Sequence, residues 1–592
     1  MSVTRLSITS LTDTGERLSD EVELYQRTYS TLLRSSGETR LRVLEPSHRA
    51  MRSSLHSLAG SEELDLGAFL YAISRLPQAI AGAQRVVLGQ SAEALIADGL
   101  DVSNWQVAES PARRRRWYVG PDGMLAVLLA SSSDVDDLVP TLVAYQIEWN
   151  KIRLRLSGAA GGLGEDPDAE TCARLLSGSP EDWQRLREVW GSAFAERLTL
   201  IRNHHLSIRI RMLGGSNTGY ARMTRRWWAP IQGELDAAAR GGEASDQKER
   251  GSSSTGPLAS TTEEGPLYFV SSNTHSLVNI ATGVAREREQ QLVEFVESLP
   301  GDDILHEELM RFRSGDTEGS WENFLYFVAR QWFDSRGDQG AAERRAAEAA
   351  YGVKHLRSST ALRVSAQVFP LAALSVDSLD PRLGEVDAEV LAASRARIVN
   401  IDYPLGVAAY NILREVAVDS VSLKGVYVLG KAATLNADVG DVLISSVVHD
   451  EHSRSTYWLD NVFSVDDLAA DLRFGTGLDN QRAVTVKSTF LQNRAYLDFY
   501  YREAFTVVEM EAGPFLNAVY ELADADRFPV GEAVNFSRLP IDLGIIHYAS
   551  DTPYTQARTL GARGLSYYGM DSTYASSLAI LRRILRLEGI LH

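Results

Sequence analysis

Apolar residues recur at intervals of three and four through much of the first half of the chain, and this period predicts helices. Residues 64–76 (LDLGAFLYAISRL) carry it. So do residues 134–154, through Leu138, Leu142, Val143, Ile147 and Ile152, with Pro140 near the start, where it is tolerated. Residues 180–200 and 220–235 are further helix candidates, and helical spacing resumes over 284–352, ending in GAAERRAAEAAYG. Residues 117–129 (WYVGPDGMLAVLL) differ: two apolar runs flank Gly-Pro-Asp-Gly, which predicts a β-hairpin. From about residue 362 short β-type runs alternate with helical ones. Strands are predicted over 363–369, 396–401, 425–429, 441–448, 483–489, 505–508 and 543–548, and helices over 406–416, 514–523 and 573–587. That alternation predicts an α/β domain with a mixed, largely buried sheet flanked by helices.

Composition sharpens the divisions. Residues 237–265 are rich in Gly, Ser, Thr and charge and nearly free of large apolar side chains. Such a stretch buries too little to offset its ordering entropy, so a flexible linker or disordered loop is expected. The expected organisation is a mainly α-helical N-terminal region over 1–236, with a hairpin near 117–129, and the linker over 237–265. A helical segment over 266–355 is expected to pack with the N-terminal region, and the α/β domain covers 360–592. No repeat of solenoid length is present. The 592 residues carry 60 basic and 78 acidic side chains, a net charge of −18, which argues against nucleic-acid binding. The single cysteine, Cys172, excludes a disulfide framework and a cysteine zinc cluster, and suits a reducing compartment. No run of about 18 apolar residues and no apolar signal core are seen, so a cytoplasmic protein with no membrane partner is expected. Only six of the basic residues are lysines, so each lysine invites a local reason.

Three predicted strand ends carry unusual residues. Residues 426–441 (VYVLGKAATLNADVGD) run from a strand through a small-residue turn to a Gly-Asp. Residues 505–511 (FTVVEME) lead through Ala-Gly-Pro into a helix, which puts Glu509 and Glu511 at a strand-to-helix junction. Residues 543–553 (LGIIHYASDTP) deliver Ser550 and Asp551 into a loop. In open α/β sheets working residues collect at such places. Each also has a plain reading: Glu509 and Glu511 as solvated acids at a helix start, Asp551 as a turn residue or cap, Lys431 as an exposed loop lysine.

Taken in order, these stretches resemble the superfamily of nucleoside phosphorylases and nucleosidases, over about residues 360–592. The family's Gly-x-Ala-Gly-x-Leu turn followed by Val-Gly-Asp is similar to Gly430-Lys431-Ala432-Ala433-Thr434-Leu435 with Val439-Gly440-Asp441. Its (Asp/Glu)-Met-Glu-(Ala/Ser) ribose motif matches Glu509-Met510-Glu511-Ala512, and its Ile-Ser-Asp loop resembles Tyr548-Ala549-Ser550-Asp551. A further match is Asp402-Tyr403-Pro404-Leu405-Gly406, ahead of Val407-Ala408-Ala409. The resemblance implies an α/β C-terminal domain of nucleoside phosphorylase type. It also implies cleavage or phosphorolysis of the N-glycosidic bond of a purine nucleoside or nucleotide, by an N-ribosyl hydrolase or phosphorylase.

In that reading Asp551 is the acid at the base. Glu511, Met510 and Glu509 bind ribose. Tyr496, Asn493, Lys431, Gly430 and Gly406 contact the base or a phosphate. No metal or cofactor is implied, phosphate is a possible co-substrate, and a homo-oligomer is expected by resemblance. The chain departs from the pattern in Lys431, where a small or hydroxyl residue is usual, and in Val428, where phosphorylases carry an arginine. No water-activating glutamate stands out near residues 367–370. The alternative is a non-catalytic nucleotide- or nucleoside-sensing module coupled to a helical regulatory or interaction domain.

Other signals weigh less. His449-Asp450-Glu451-His452 invites a metal reading, but strand alternation favours a polar loop. The arginines at 113–116 read as a solvated charge cluster. The glycine-rich stretch 212–219 lacks a phosphate-binding lysine and shows no clear preceding strand.

Overall fold

The computed structural model describes residues 13–35, 37–111, 115–159, 163–249, 265–301, 303–419, 422–524, 530–536, 539–551 and 568–592. The chain opens with α1 (Asp13–Ser35), β1 (Thr39–Arg40), α2 (Glu45–Ala50), α3 (Leu66–Arg75), β2 (Arg85–Gly89), α4 (Ala92–Ala97), β3 (Gln106–Ala108), β4 (Trp117–Val119) and β5 (Met124–Leu128). Next come α5 (Ser132–Gly158), α6 (Ala169–Leu176), α7 (Pro180–Trp190), α8 (Phe194–Asn203), β6 (Arg209–Leu213) and α9 (Asn217–Glu249). The following stretch holds β7 (Leu267–Ser271), α10 (Ser276–Thr282), α11 (Glu289–Glu297), α12 (Ile304–Ser314), α13 (Trp321–Ser335), α14 (Gly337–Ala349), β8 (Lys354–Leu356) and β9 (Ala366–Pro370). Then follow α15 (Ala388–Ala393), β10 (Arg397–Ile401), α16 (Val407–Asp419), β11 (Leu423–Thr434), β12 (Val442–Asp450), β13 (Ser455–Trp458) and β14 (Gly477–Thr485). The last elements are α17 (Arg494–Arg502), β15 (Val507–Glu509), α18 (Ala512–Ala523), β16 (Ala533–Asn535), β17 (Asp542–Asp551) and α19 (Asp571–Leu587).

Two compact units divide the described chain. The first holds residues up to 221 and Val486–Ala504; the second holds the rest. The first unit carries α1 to α8, but it is not helical alone. A six-stranded sheet runs through it in the order β1-β6-β2-β5-β4-β3, with β6, β2 and β5 parallel and the outer strands antiparallel. Its apolar strands of five residues are too short for periodicity to separate them from buried helix. The Gly-Pro-Asp-Gly turn does join two antiparallel strands, with Trp117 opposite Val127. A strand, β6, also precedes the glycine-rich stretch at 214–219, and its register beside β2 places Gly214 next to Gln90.

Helix α5 is buried on nearly every face, and Trp117, Trp149 and Trp183 fill the surrounding core. Arg115 is buried between Asp134 and Asp137, 2.7 Å from each, so it is not solvated; Arg113 and Arg114 lie outside the described residues. Leu491, from the excursion between β14 and β15, enters the same core.

The second unit is built on an eleven-stranded mixed sheet. Strand β7 lies parallel to β10 on one side and to β11 on the other. The pairings β11–β17, β17–β12, β12–β14, β14–β15 and β15–β11 close on themselves, so five strands form a ring. Helices α10 to α13 and α19 share one apolar core with Tyr427 and Leu429 of β11 and Ile546 and Tyr548 of β17. The segment 266–355, expected to pack with the N-terminal region, therefore belongs to the second unit. Its first five apolar residues form strand β7 at the centre of the sheet. Helix α9 continues through Glu249 into the stretch whose composition suggested a linker; residues 250–264 lie outside the described residues. Among the described residues no helix is long and apolar enough to cross a membrane.

Candidate functional site

Strand β11 organises the site. The sequence suggests a strand ending before Gly430, yet the strand runs on to Thr434, because both neighbours pair with its second half. On one side β17 runs parallel, placing His547 beside Gly430, Tyr548 beside Lys431 and Asp551 beside Ala433. The register slips between Ala432 and Ala433, and Ser550 takes up the extra position, its hydroxyl 3.3 Å from the Ala432 carbonyl. Such a bulge re-aims the residue that follows it, here Asp551. On the other side β15 runs antiparallel, with Val508 opposite the same Ala433. At an interstrand spacing of about 4.8 Å, the backbones of Asp551 and Val508 lie about 10 Å apart across Ala433. The second and third motifs thus flank the first.

The fourth motif joins them through a backbone bond. Gly406, in the left-handed region at φ 53°, donates its N–H to the Met510 carbonyl at 3.0 Å. A residue with a Cβ would be strained there. The turn brings Tyr403 to Tyr548, their hydroxyls 3.0 Å apart. Burial first, then Tyr548 and more distantly the Glu511 carboxylate, push the Tyr403 hydroxyl far above the usual tyrosine range. Tyr548 is pushed up to about 12, again chiefly by burial, with Glu511 adding to the shift. Both tyrosines therefore stay protonated beside Glu511 and keep O–H donors available.

The two glutamates of the motif have different surroundings. Glu509, expected at the ribose, is buried. Its carboxylate accepts the Thr485 hydroxyl and the backbone N–H groups of Glu511 and Ala512, the latter two at 2.6 and 2.8 Å. It thus satisfies the start of α18 from inside, where the helix dipole favours a negative charge. Glu511 and Met510 are half-buried at the surface of the site, and so is Asp551. Gly513 lets α18 approach β12: a Cβ there would sit 2.5 Å from the Asp450 Cβ. His547 is fully buried, both ring nitrogens lack a hydrogen-bond partner, and Nε2 lies 3.8 Å from a Glu509 oxygen. Gly430 leaves room for that ring, since a Cβ would meet His547 at 3.3 Å.

Lys431 is exposed. Partial desolvation first, then the charge of Arg330 on α13, lower its ammonium below the usual lysine range. Asn493 and Tyr496 lie in the first unit. Asn493 is buried, caps α17 by accepting the Tyr496 N–H at 2.9 Å, and donates to the Met51 carbonyl. Tyr496 packs beside the first unit's core and stacks on Tyr500. Near residue 367, where a water-activating carboxylate was sought, stands a glutamine. It is buried, donates to the Thr274 carbonyl and accepts from Asn400.

His449 and Asp450 end strand β12, and the turn begins at Glu451. Asp450 is buried and accepts from the backbone and ring of His452 and from Ser453. Among the described residues no group of three or more His, Cys, Asp or Glu could hold a metal ion. The sequence reading gave no role to Tyr548, Arg330 or His275. Tyr403 and Tyr548 each stand inside a motif of the resemblance, which is the signal that could have found them; nothing local marks Arg330.

The chain is similar to several solved structures. A 5′-methylthioadenosine/S-adenosylhomocysteine nucleosidase from Colwellia psychrerythraea in complex with adenine is 14% identical, covering 40% of this chain and 86% of its own, at a TM-score of 0.24. An AMP nucleosidase from Bacteroides thetaiotaomicron is 14% identical, covering 43% and 85%, at 0.25. A uridine phosphorylase from Schistosoma mansoni in complex with uracil is 10% identical, covering 56% and 89%, at 0.27. At TM-scores this low the fold rests on the strand pairings themselves. No curated protein matches the sequence. One family model spans residues 41–586, across the described sheets of both units, and the chain belongs to that family, a family of unknown function (DUF6909).

Proposed function

We propose that the second unit cleaves or exchanges the N-glycosidic bond of a nucleoside or nucleotide, a purine one by its motif set. The observation that carries this is the meeting of separate motifs at β11: Asp551 and the strand leading to Glu511 flank Ala433, and Gly406 is bonded to Met510. Breaking that bond builds positive charge on the sugar and negative charge on the leaving base. Asp551 shares a proton with the base and makes it a better leaving group. Glu511 accepts hydrogen bonds from the sugar hydroxyls, and Met510 packs its thioether against the ring. Tyr403 and Tyr548, both protonated, hold the Glu511 side of the site in place. The phosphorylase-type fold, a homo-oligomer and a cytoplasmic setting belong to the same reading.

A panel of nucleosides and nucleotides, with and without phosphate, tests it. Free base released by the wild type and not by Asp551→Asn is the expected result. A second reading, a sensor that binds without turnover, is favoured by Gln367, whose amide is bonded to Thr274 and Asn400 where a carboxylate was sought. Saturable binding with no base released under any condition selects that reading instead.

A further inference from the structure

Just before Ser550, strand β17 is held between two bulges. On the β11 side Ala549 pairs with Ala432 and Asp551 with Ala433, so Ser550 is the extra residue. On the β12 side the count is reversed, and two residues, Gly440 and Asp441, stand opposite Ala549. Gly440 donates its N–H to the Ala549 carbonyl at 2.8 Å, and Ala549 donates its own to the Asp441 carbonyl at 2.9 Å. Gly440 lies in the left-handed region at φ 103°, as the first position of a glycine bulge requires. The ladder resumes at once, with Val442 opposite Tyr548.

The Asp441 side chain ties this bulge down. Its carboxylate accepts the Asp438 N–H at 2.9 Å, in the turn between β11 and β12, and the Thr476 N–H at 2.7 Å, in the loop before β14. The Thr476 carbonyl in turn accepts the Val442 N–H at 2.9 Å. Gly475 presses on the Gly440 carbonyl, where a Cβ would come within 2.4 Å. Hydrogen bonds to an ionised acceptor are about twice as strong as neutral ones. The turn at 438–441, the loop at 475–476 and Ala549 are thus joined at Asp441.

A strand that slips by one residue turns its side chains to the opposite face. Among the described residues, Ala549 is the last of β17 bonded on both sides before Asp551. We propose that Asp441 is the positioning residue for Asp551. By locking the 440–441 bulge onto Ala549, it makes Ser550 the residue left out of the ladder and delivers Asp551 to the site. Asp441 itself touches no substrate. The catalytic consequence rests on the proposed function, whereas the strand register does not.

Two readouts on the full chain test this. In Asp441→Ala, amide exchange followed by mass spectrometry is expected to quicken about tenfold or more at residues 549–551, with residues 543–547 and the melting temperature little changed. In base release, kcat should fall about a hundredfold while KM stays within about twofold, because Glu511 and Met510 still hold the sugar. Asp441→Asn keeps the acceptor facing Thr476 and should recover a large part of both effects; it carries the test if Asp441→Ala does not fold. The proposal is overturned if the folded variants exchange as the wild type does. It is equally overturned if exchange at 549–551 quickens and kcat is untouched, or if KM alone rises. A wild type that releases no base from any nucleoside or nucleotide overturns the enzyme reading instead, and the exchange measurement still decides whether Asp441 sets the register.

Discussion

Glu509 and Glu511 stand two positions apart and differ in everything that matters chemically. Glu509 is enclosed, with Thr485 and two backbone N–H groups on its carboxylate, and Glu511 is half-buried beside two protonated tyrosines. Glu509→Gln turns an amide N–H₂ toward donors that need an acceptor. It is expected to cost about 1–3 kcal/mol in urea unfolding. Glu511→Gln should leave the urea midpoint within error of the wild type while base release falls by about a hundredfold. Equal destabilisation by both would contradict the division of tasks.

In the first unit a chain of polar groups, buried as far as Glu148, runs from Tyr25 through His48 and His56 to Glu148 and Lys151, with steps of 3.2, 3.0, 2.8 and 2.7 Å. Burial, then His56 and Arg49, hold His48 well below its ordinary value of 6.5. The unfolded chain thus takes up a proton that the folded chain refuses. Stability is full above about pH 6.5 and declines as the pH falls below it. His275, lowered to about 3 by burial first and then by Arg330, Arg344 and Lys431, acts in the same direction. Thermal melts should shift down between pH 7.5 and 5, with a shallower slope in His48→Gln; a flat profile in the wild type would refute this.

At the scale of elements, the site depends on two departures from regularity. The bulge opposite Ala433 turns Asp551 out of the strand's alternation, and the missing side chain at Gly513 lets α18 start against β12. Gly513→Ala would drive a methyl group into Asp450 and Thr485, both buried, and should destabilise by about 1–3 kcal/mol in urea unfolding. Little loss there would mean that α18 can move away from β12 at small cost. The strands of the second unit were largely legible: the expected runs at 396–401, 441–448 and 543–548 correspond to β10, β12 and β17. Strand β7 was not, because LYFVS follows a polar stretch and precedes helices. Its place at the centre of the sheet comes from β10 and β11, each more than a hundred residues away.

At the scale of the whole molecule, the chain leaves the second unit after Thr485 and returns at Phe505. The excursion supplies Leu491 to the first unit's core and Phe490 to a cluster with Leu55, Ala68, Tyr71 and Ala144. A protein cut after residue 221 would leave both places open. Residues 1–221 expressed alone should therefore be poorly soluble, or should lose cooperative unfolding. Fusion to residues 486–504 should restore a cooperative transition. A cooperative, soluble 1–221 fragment would show that the excursion adds little.

Local pattern alone determined the alternating texture of the second half, the hairpin at 117–129 and the order of four short motifs, because each is written in neighbouring residues. The sheet of the first unit was hidden, since five-residue apolar strands look like buried helix until their partners are known. Asp551 and Glu511 could be named from their motifs, but that Asp551 and Val508, three residues before Glu511, both flank Ala433 is a matter of register between strands far apart in sequence. The burial of Glu509 and the placing of Asn493 and Tyr496 in the other unit were decided by tertiary structure alone. Which carboxylate is enclosed depends on what packs alongside, and a linear sequence does not carry that.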